Sequence, residues 1–366
     1  MTGLVKQYQH ESVLDAAEAR MRWIFDHFER VYASVSSGKD SDVLYHLARA
    51  EARRRGRKLH VFFLDQEAEY QGTVDLMRVL MHAEGVEPLW YQVPIRMTNA
   101  TSYAEDQLYA WGPGEPWMRD KEPDAIAAID GDYPERFYPF FDWWEAEQPA
   151  ESAFLVGLRA EEGINRFRAV TKHPALPAVP WSTKAGRAGS VKFYPLYDWG
   201  SGDIWRYIAT NGCPYNRVYD LLWALGAGEH NSLRVSNLIH EVAFRSLEYL
   251  HAVEPETYAR LVKRIGGVHC AARHAQGPLL YDAKTLPAGF STWRAYRDHL
   301  LATAPISEER RARFTKRFAG QGEDERVYQG QCRQILLGDH ENNVPVVTAR
   351  ARAKKADKFA RWRKLF

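Results

Sequence analysis

The 366-residue chain is long enough for one large domain or two ordinary ones, and at 45% hydrophobic and 26% charged residues it can bury a core without staples. A formal net charge of +2 leaves no global basic field that would imply nucleic acid, and three cysteines, Cys213, Cys270 and Cys332, cannot supply the four thiolates of an iron–sulfur cluster. No apolar run approaches the roughly 20 residues that cross a bilayer, and Met1 to Gln7 lacks the succession of a signal peptide, so a cytoplasmic protein with no membrane contact is expected.

Val13, Leu14, Ala17, Met21, Ile24, Phe25 and Phe28 recur at helical spacing, which predicts an amphipathic helix over 11–29. A β-type run, Arg30 to Val35, leads into Ser36-Ser37-Gly38-Lys39-Asp40-Ser41, and helix formers dominate from Ser41 to Arg55. Leu59 to Leu64 reads as a second buried strand, Thr73 to Glu84 as a helix, and Leu89 to Val93 as a third strand stopped by Pro94. Strand, helix, strand, helix, strand argues for a parallel sheet with helical crossovers. Residues 97–150 read as an irregular insertion with one helix near Asp142–Gln148. A fourth strand is expected at Ala153–Val156, a helix start at Ala160–Arg168, a loop from Lys172 to Gly189, and a fifth strand at Val191–Tyr194. A helix capped by Ser201 or Gly202 reaches Thr210, and helices are expected at 218–225, 232–250, 255–264, 290–303 and 306–318. The expected architecture is therefore α/β: a Rossmann-like parallel five-stranded sheet in residues 1–228, and a helical region in 229–366 that ends in a basic tail.

A strand that runs into Ser-Ser-Gly-Lys-Asp-Ser and then a helix has the parts of an anion site. Gly38 lets backbone approach an oxyanion, the first amides of the Ser41 helix have no internal partner, and the helix end is positive. Ser36, Ser37 and Ser41 add hydroxyls and Lys39 adds charge; Asp40 orients the loop or holds magnesium. The Walker loop is excluded because Ala33 stands where its first Gly is required, and the dinucleotide turn is excluded because only one Gly is present.

The loop resembles the PP-loop, the Ser-Gly-Gly-x-Asp-Ser signature of the adenine nucleotide α-hydrolase superfamily, with Ser37 in place of the first Gly. Gly157-Leu158-Arg159-Ala160-Glu161-Glu162-Gly163 with Arg166 is similar to the Gly-Leu-Arg-Arg-x-(Glu/Gln)-Ser-x-x-Arg segment of phosphoadenylyl-sulfate reductases. Lys192 to Trp199, Asp203 to Ile208 and Pro214 to Asp220 resemble that family's later runs in order and spacing. The resemblance implies an adenine nucleotide, ATP or a sulfonucleotide of the phosphoadenylyl-sulfate type. Ser36, Ser37, Gly38, Lys39, Asp40, Ser41, Asp65, Gly157, Arg159, Arg166 and Lys192 are then its binding residues, and Lys39, Asp40 and Arg159 the catalytic ones. Asp40 and Glu67 are the candidate magnesium ligands, and Glu67 and Glu69 read equally as a solvated acidic loop. Trp199 and Trp205 read as core aromatics. Glu161 and Glu162 read as helix N-terminal charges or catalytic groups.

The reductases' C-terminal Glu-Cys-Gly-x-His segment has no counterpart here; the nearest stretch is Gly266 to Ala271, with Cys270 after His269. The second half instead resembles a subgroup that includes immunoglobulin-binding-regulator-A-like proteins, on Leu233 to Glu241, Glu254 to Tyr258 and Pro94 to Ala100. That resemblance implies a ParB/sulfiredoxin-like partner. Three functions stay open: an enzyme that cleaves ATP between the α and β phosphates, a sulfonucleotide reductase, and a nucleotide-sensing regulator. The basic run from Ala349 to Phe366 is either a solvated tail or a nucleic-acid contact.

Overall fold

The computed structural model describes residues 9–102, 105, 107–171, 174–187, 189–227, 233–235, 237–240, 244–274, 285–304, 306–339, 342 and 346–348. The basic tail from Ala349 onward lies outside these residues, as does the side chain of Cys270. The chain divides into two compact units: residues 1–96 with 109–236, and residues 97–108 with 237–366.

In the first unit, α1 (Val13–His27) starts on Ser12, whose hydroxyl accepts the Asp15 amide, and buries Ala17, Met21, Ile24 and Phe25. Then follow β1 (Arg30–Ser34), α2 (Lys39–Arg54), β2 (Leu59–Leu64), α3 (Gln71–Met81) and β3 (Val86–Tyr91). Two short strands, β4 (Ile95–Thr98) and β5 (Gln107–Ala110), pair with each other where the chain passes into and out of residues 97–108 of the second unit; α4 (Phe137–Glu147), β6 (Ser152–Val156) and a 3-10 turn at Ala160–Glu162 come next in the first unit. The unit ends with α5 (Ile164–Thr171), β7 (Ser182–Lys184), β8 (Val191–Phe193), α6 (Ser201–Asn211) and α7 (Val218–Ala224).

The sheet order is β3-β2-β1-β6-β8-β7. The five strands expected from the sequence are mutually parallel, and β7 joins β8 antiparallel as a sixth strand at the edge. The sequence places residues 182–184 in a loop: Ser182-Thr183-Lys184 carries no apolar run, and its strand conformation comes from antiparallel pairing with β8. The order matters for function. From β1 the chain builds outward through β2 and β3, then returns to the other side of β1 with β6 and β8. The reversal lies between β1 and β6, whose register runs from Arg30↔Ser152 to Ser34↔Val156. In open parallel sheets a crevice opens beyond the carboxyl ends of the strands at such a point.

The two sheet faces follow the strand alternation. Val31, Ala33, Val61, Phe63, Ala153, Leu155, Val191 and Phe193 join one buried cluster with residues of α1 and α2. Tyr32, Phe62 and Phe154 point the other way, against Trp144 of α4; the Phe62 and Trp144 rings lie 3.9 Å apart. Trp199 is a core residue, 2% exposed, with its indole donating to the Val13 carbonyl at 3.0 Å.

The second unit contains α8 (Phe244–Leu247), α9 (Leu250–Val253), α10 (Pro255–Arg264), α11 (Val268–His274), α12 (Trp293–Thr303), α13 (Glu308–Phe318) and α14 (Glu325–Leu336). Leu300, Ala304, Ile306, Phe314, Phe318, Cys332 and Ile335 form one buried cluster in it. The long helix expected over 232–250 is not continuous. Asn237 turns its side-chain oxygen onto the Ile239 amide at 3.0 Å, and the Ile239 carbonyl accepts the Ala100 amide at 2.8 Å. That local alternative to helical pairing is what Asn offers the backbone. Helices α12, α13 and α14 start on Thr292, Ser307 and Asp324, each of which accepts a first-turn amide. Asp324 accepts two, from Arg326 and Val327, so Asp324→Ala should destabilise this unit by about 1 kcal/mol, read as a lowered denaturant midpoint.

Candidate functional site

The loop after β1 turns sharply at Ser37, whose φ is +57°, in the left-handed region that favours glycine. Gly38 is extended, with φ −85°, and caps α2. The permissive conformation therefore falls on the serine that replaces the first Gly of the PP-loop signature, one residue before the Gly the sequence singled out. Asn216 compensates. Its amide nitrogen donates to Ser37 Oγ and to Thr73 Oγ1, each at 3.0 Å, while its oxygen accepts the Val218 amide. Within the loop, Ser41 Oγ donates to the Gly38 carbonyl at 2.8 Å and accepts the Ser36 amide at 3.2 Å.

The first amides of α2 have no intrahelical acceptor. That of Lys39 donates to Tyr219 Oη at 3.2 Å, and the Lys39 ammonium lies over the Tyr219 ring at 5.6 Å and 3.4 Å from Asp40. Tyr219 is 2% exposed, and burial, joined by the charges of Asp42 and Asp40, pushes its hydroxyl pKa up. Sequence reasoning used Asn216 and Tyr219 only as part of a family run. Their role as clamps on the loop could not be read from spacing, because they come from 179 and 180 residues further along.

Beyond β6, Gly157 meets α2 backbone to backbone. A Cβ there would lie 2.8 Å from Ser41 N and Cα and 2.9 Å from the Asp40 carbonyl carbon. Arg159 follows, 2% exposed, with Nε donating to Asp40 Oδ1 and Nη1 donating to Glu161 Oε1 at 2.6 Å. Burial acts to lower the Arg159 pKa, but Asp40, then Glu162 and Glu161, outweigh it and hold the guanidinium above its ordinary value. Arg166 joins through Glu162, at 2.9 Å. The structure thus brings together Ser36, Ser37, Gly38, Lys39, Asp40, Ser41, Gly157, Arg159 and Arg166 beyond the carboxyl ends of β1 and β6.

Two of the expected residues are committed elsewhere. Lys192 is bound to the buried Glu145 of α4 at 2.6 Å. Asp65 accepts from Trp90 Nε1 at 3.0 Å, Gln92 Nε2 at 2.9 Å, the Glu67 amide at 3.0 Å and Arg119 Nη2 at 2.6 Å. It is a fully buried anchor for the loop after β2. Glu67 is not a solvated acid either: its two carboxylate oxygens accept the Trp111 and Met118 amides at 2.9 and 3.1 Å. With those oxygens committed, and Asp40 held by Arg159 and Lys39, the two carboxylates do not fit a protein-built magnesium site. Among the described residues no group of three or more His, Cys, Asp and Glu is arranged to hold a metal.

Asp42, in the first turn of α2, is fully buried with no hydrogen-bond partner on either oxygen among the described residues. Burial, then Asp40, pushes its pKa well above the ordinary carboxylate range. Burial and Asp42 also raise the Cys213 thiol, and burial raises Cys332 to about 12, so neither favours a thiolate.

The model of the phosphoadenosine phosphosulfate reductase domain matches residues 30–273, and the chain belongs to that family. A second family model, described as a domain of unknown function (DUF3440), matches residues 228–333. The chain is 29% identical over 310 residues to the uncharacterized protein YbdN of Escherichia coli (strain K12), covering 80% of this chain and 76% of that one. It is 24% identical over 217 residues to the adenosine 5'-phosphosulfate reductase of Oceanobacillus iheyensis, covering 59% and 77%. Among solved structures, the phosphoadenylyl-sulfate reductase from Candida auris in its phosphate complex matches with a TM-score of 0.30 and 16% identity, over 59% of this chain and 93% of that one. No helix among the described residues is long and apolar enough to cross a membrane.

Two predictions follow from this geometry. Gly157→Ala should cost about 1–3 kcal/mol of stability, because the new methyl meets backbone that cannot yield. Gly38→Ala, whose Cβ would meet nothing closer than 3.4 Å, should stay within about 1 kcal/mol; denaturant midpoints of the two variants check the contrast. The second concerns Glu69, whose pKa is raised to about 8 by burial first and then by Asp65, against Arg119. It keeps in the fold a proton that the unfolded chain releases near its ordinary value of 4.5. Its contribution is fully present below that value and is lost as pH rises toward about 8. Glu69→Gln should therefore reduce the fall in the urea midpoint across that window.

Proposed function

We propose that the first unit binds an adenine nucleotide against the loop Ser36–Ser41 and cleaves ATP between its α and β phosphates, activating an acceptor and releasing pyrophosphate. The observation that carries this reading is the Arg159–Asp40–Lys39 cluster at the amino end of α2, at the reversal between β1 and β6. Backbone amides and the positive helix end supply a cradle for phosphate oxygens. Arg159 and Lys39 would offset the charge that develops on the leaving pyrophosphate, where a buried, preoriented cation acts most strongly. Asp40 holds the Arg159 fork in place, and Arg166 reaches the same cluster through Glu162. Asp65 and Lys192, bound by Arg119 and Glu145, take supporting parts in this scheme.

Magnesium, if it takes part, arrives with the nucleotide phosphates; no step here passes through it. The cytoplasm is the compartment we propose, and a ParB/sulfiredoxin-like protein is the partner that the subgroup resemblance suggests.

Incubation of the full chain with ATP and magnesium, reading AMP and pyrophosphate, tests the proposal. With water taking the adenylyl group in the absence of the acceptor, equal release of both is expected. Arg159→Lys keeps a cation beside Asp40 but loses the fork, and should lower the rate by about a hundredfold. Sulfite release from adenosine 5'-phosphosulfate with a thiol, without pyrophosphate from ATP, would replace this reading with the reductase one. That reading has the names of relatives such as the Oceanobacillus iheyensis reductase in its favour. Nucleotide binding with neither reaction would leave a sensor.

A further inference from the structure

We infer that the chain has a second oxyanion position, between the Arg159 guanidinium and the first turn of α6, which its own Glu161 carboxylate occupies. A single oxygen, Glu161 Oε1, accepts Arg159 Nη1 at 2.6 Å and the Ser201 amide at 2.9 Å. A guanidinium and the amide of an 11-residue helix's first turn converging on one oxygen are the donors an oxyanion takes. Ser201 adds a third. It is 6% exposed, and its hydroxyl has no hydrogen-bond partner among the described residues. Gly200 stands just before it: a Cβ there would lie in ordinary contact, 3.8 Å, with both Glu161 oxygens and 3.2 Å from Asp203 Oδ2, the carboxylate that accepts the Gly200 amide at 2.7 Å.

The two sides of this contact differ in freedom. The Arg159 side chain is 3% exposed and fixed on Asp40, whereas that of Glu161 is 48% exposed on a three-residue turn. The carboxylate is the partner that can leave. A tetrahedral dianion can engage Arg159 Nη1, the Ser201 amide and the Ser201 hydroxyl together, where the carboxylate oxygen engages two of these. Arg159 stays paired with Asp40 through Nε in the exchange, which replaces one negative charge with two beside Nη1. The ligand chemistry is a sulfuryl or phosphoryl group, free or at the end of a nucleotide. The inference deepens the nucleotide reading, on which it rests through the shared Arg159.

Calorimetric titration of the full chain with inorganic sulfate and inorganic phosphate, with chloride as the monovalent control, tests it. Glu161→Ala removes the internal competitor and should tighten one or both dianions about tenfold. Adding Ser201→Ala to that variant should lose most of the gain. Glu161→Gln, which keeps an acceptor for the Ser201 amide, is read instead if Glu161→Ala melts early. A gain for sulfate alone assigns a sulfuryl group, and a gain for phosphate alone assigns a phosphoryl group. Unchanged affinity for both, or an equal gain for chloride, overturns the position. ATP titrated into the same variants separates the two ideas. ATP binding without a dianion gain refutes the Glu161 exchange and spares the nucleotide site; a dianion gain without ATP binding does the reverse.

Discussion

Everything at the site depends on how closely β6 can end against the start of α2. Gly157 places its Cα where any side chain would strike the backbone of Asp40 and Ser41. That contact leads the chain straight from β6 into Arg159 and lets a buried guanidinium reach a first-turn carboxylate of a helix from another part of the sheet. The sheet order supplies the other half of the constraint. Because β1 and β6 are neighbours, with Ser34 opposite Val156, the loops that follow them leave from the same rim. A parallel sheet in which those strands were not adjacent would carry both sequence motifs and bring neither to the other.

The charges within this rim are matched internally rather than left open. Arg159 is met by Asp40 and Glu161, Arg166 by Glu162, and Lys39 by Asp40 and the Tyr219 ring. Burying an unpaired cation is costly, so a buried arginine in a folded chain takes partners from within it. Asp42 settles the same problem by the other route. With no partner on either oxygen among the described residues, its pKa is pushed well above the ordinary carboxylate range by burial and then by Asp40. A second ionised carboxylate two residues from Asp40 would repel it and weaken the hold on Arg159.

Much of the fold was legible in the sequence. The five apolar runs that read as strands are strands, because each carries β-branched or aromatic residues that suit a sheet. What stayed hidden has a physical reason in each case. The β7 strand is three residues long, and its place at the edge depends on pairing with β8. Within the helix expected over 232–250, the turn at Asn237–Ile239 comes from an Asn whose side chain competes with the backbone. At the site, Ser36 to Ser41, Gly157, Arg159 and Arg166 were found from motif and order. The commitment of Lys192 to Glu145 and of Asp65 to Trp90, Gln92 and Arg119 was not, since partners tens of residues away leave no local signal. The left-handed turn at Ser37, and the hold Asn216 has on it, left no trace in the sequence.

That displacement says something about how the loop is held. In a PP-loop with glycine at this place, the left-handed turn needs no help. With serine there the backbone is strained, and the hydroxyl becomes a handle that Asn216 grips while also holding Thr73 at the start of α3. Val218 and Tyr219, the next residues of that segment, bind back to Asn216 and to the Lys39 amide. The loop's conformation is thus distributed over α2, α3 and α7 instead of being intrinsic to one glycine. Such a loop is rigid only while the segment from Asn216 to Tyr219 stays in place. Displacing the segment from Asn216 to Tyr219 would break the bonds to Ser37 Oγ and to the Lys39 amide.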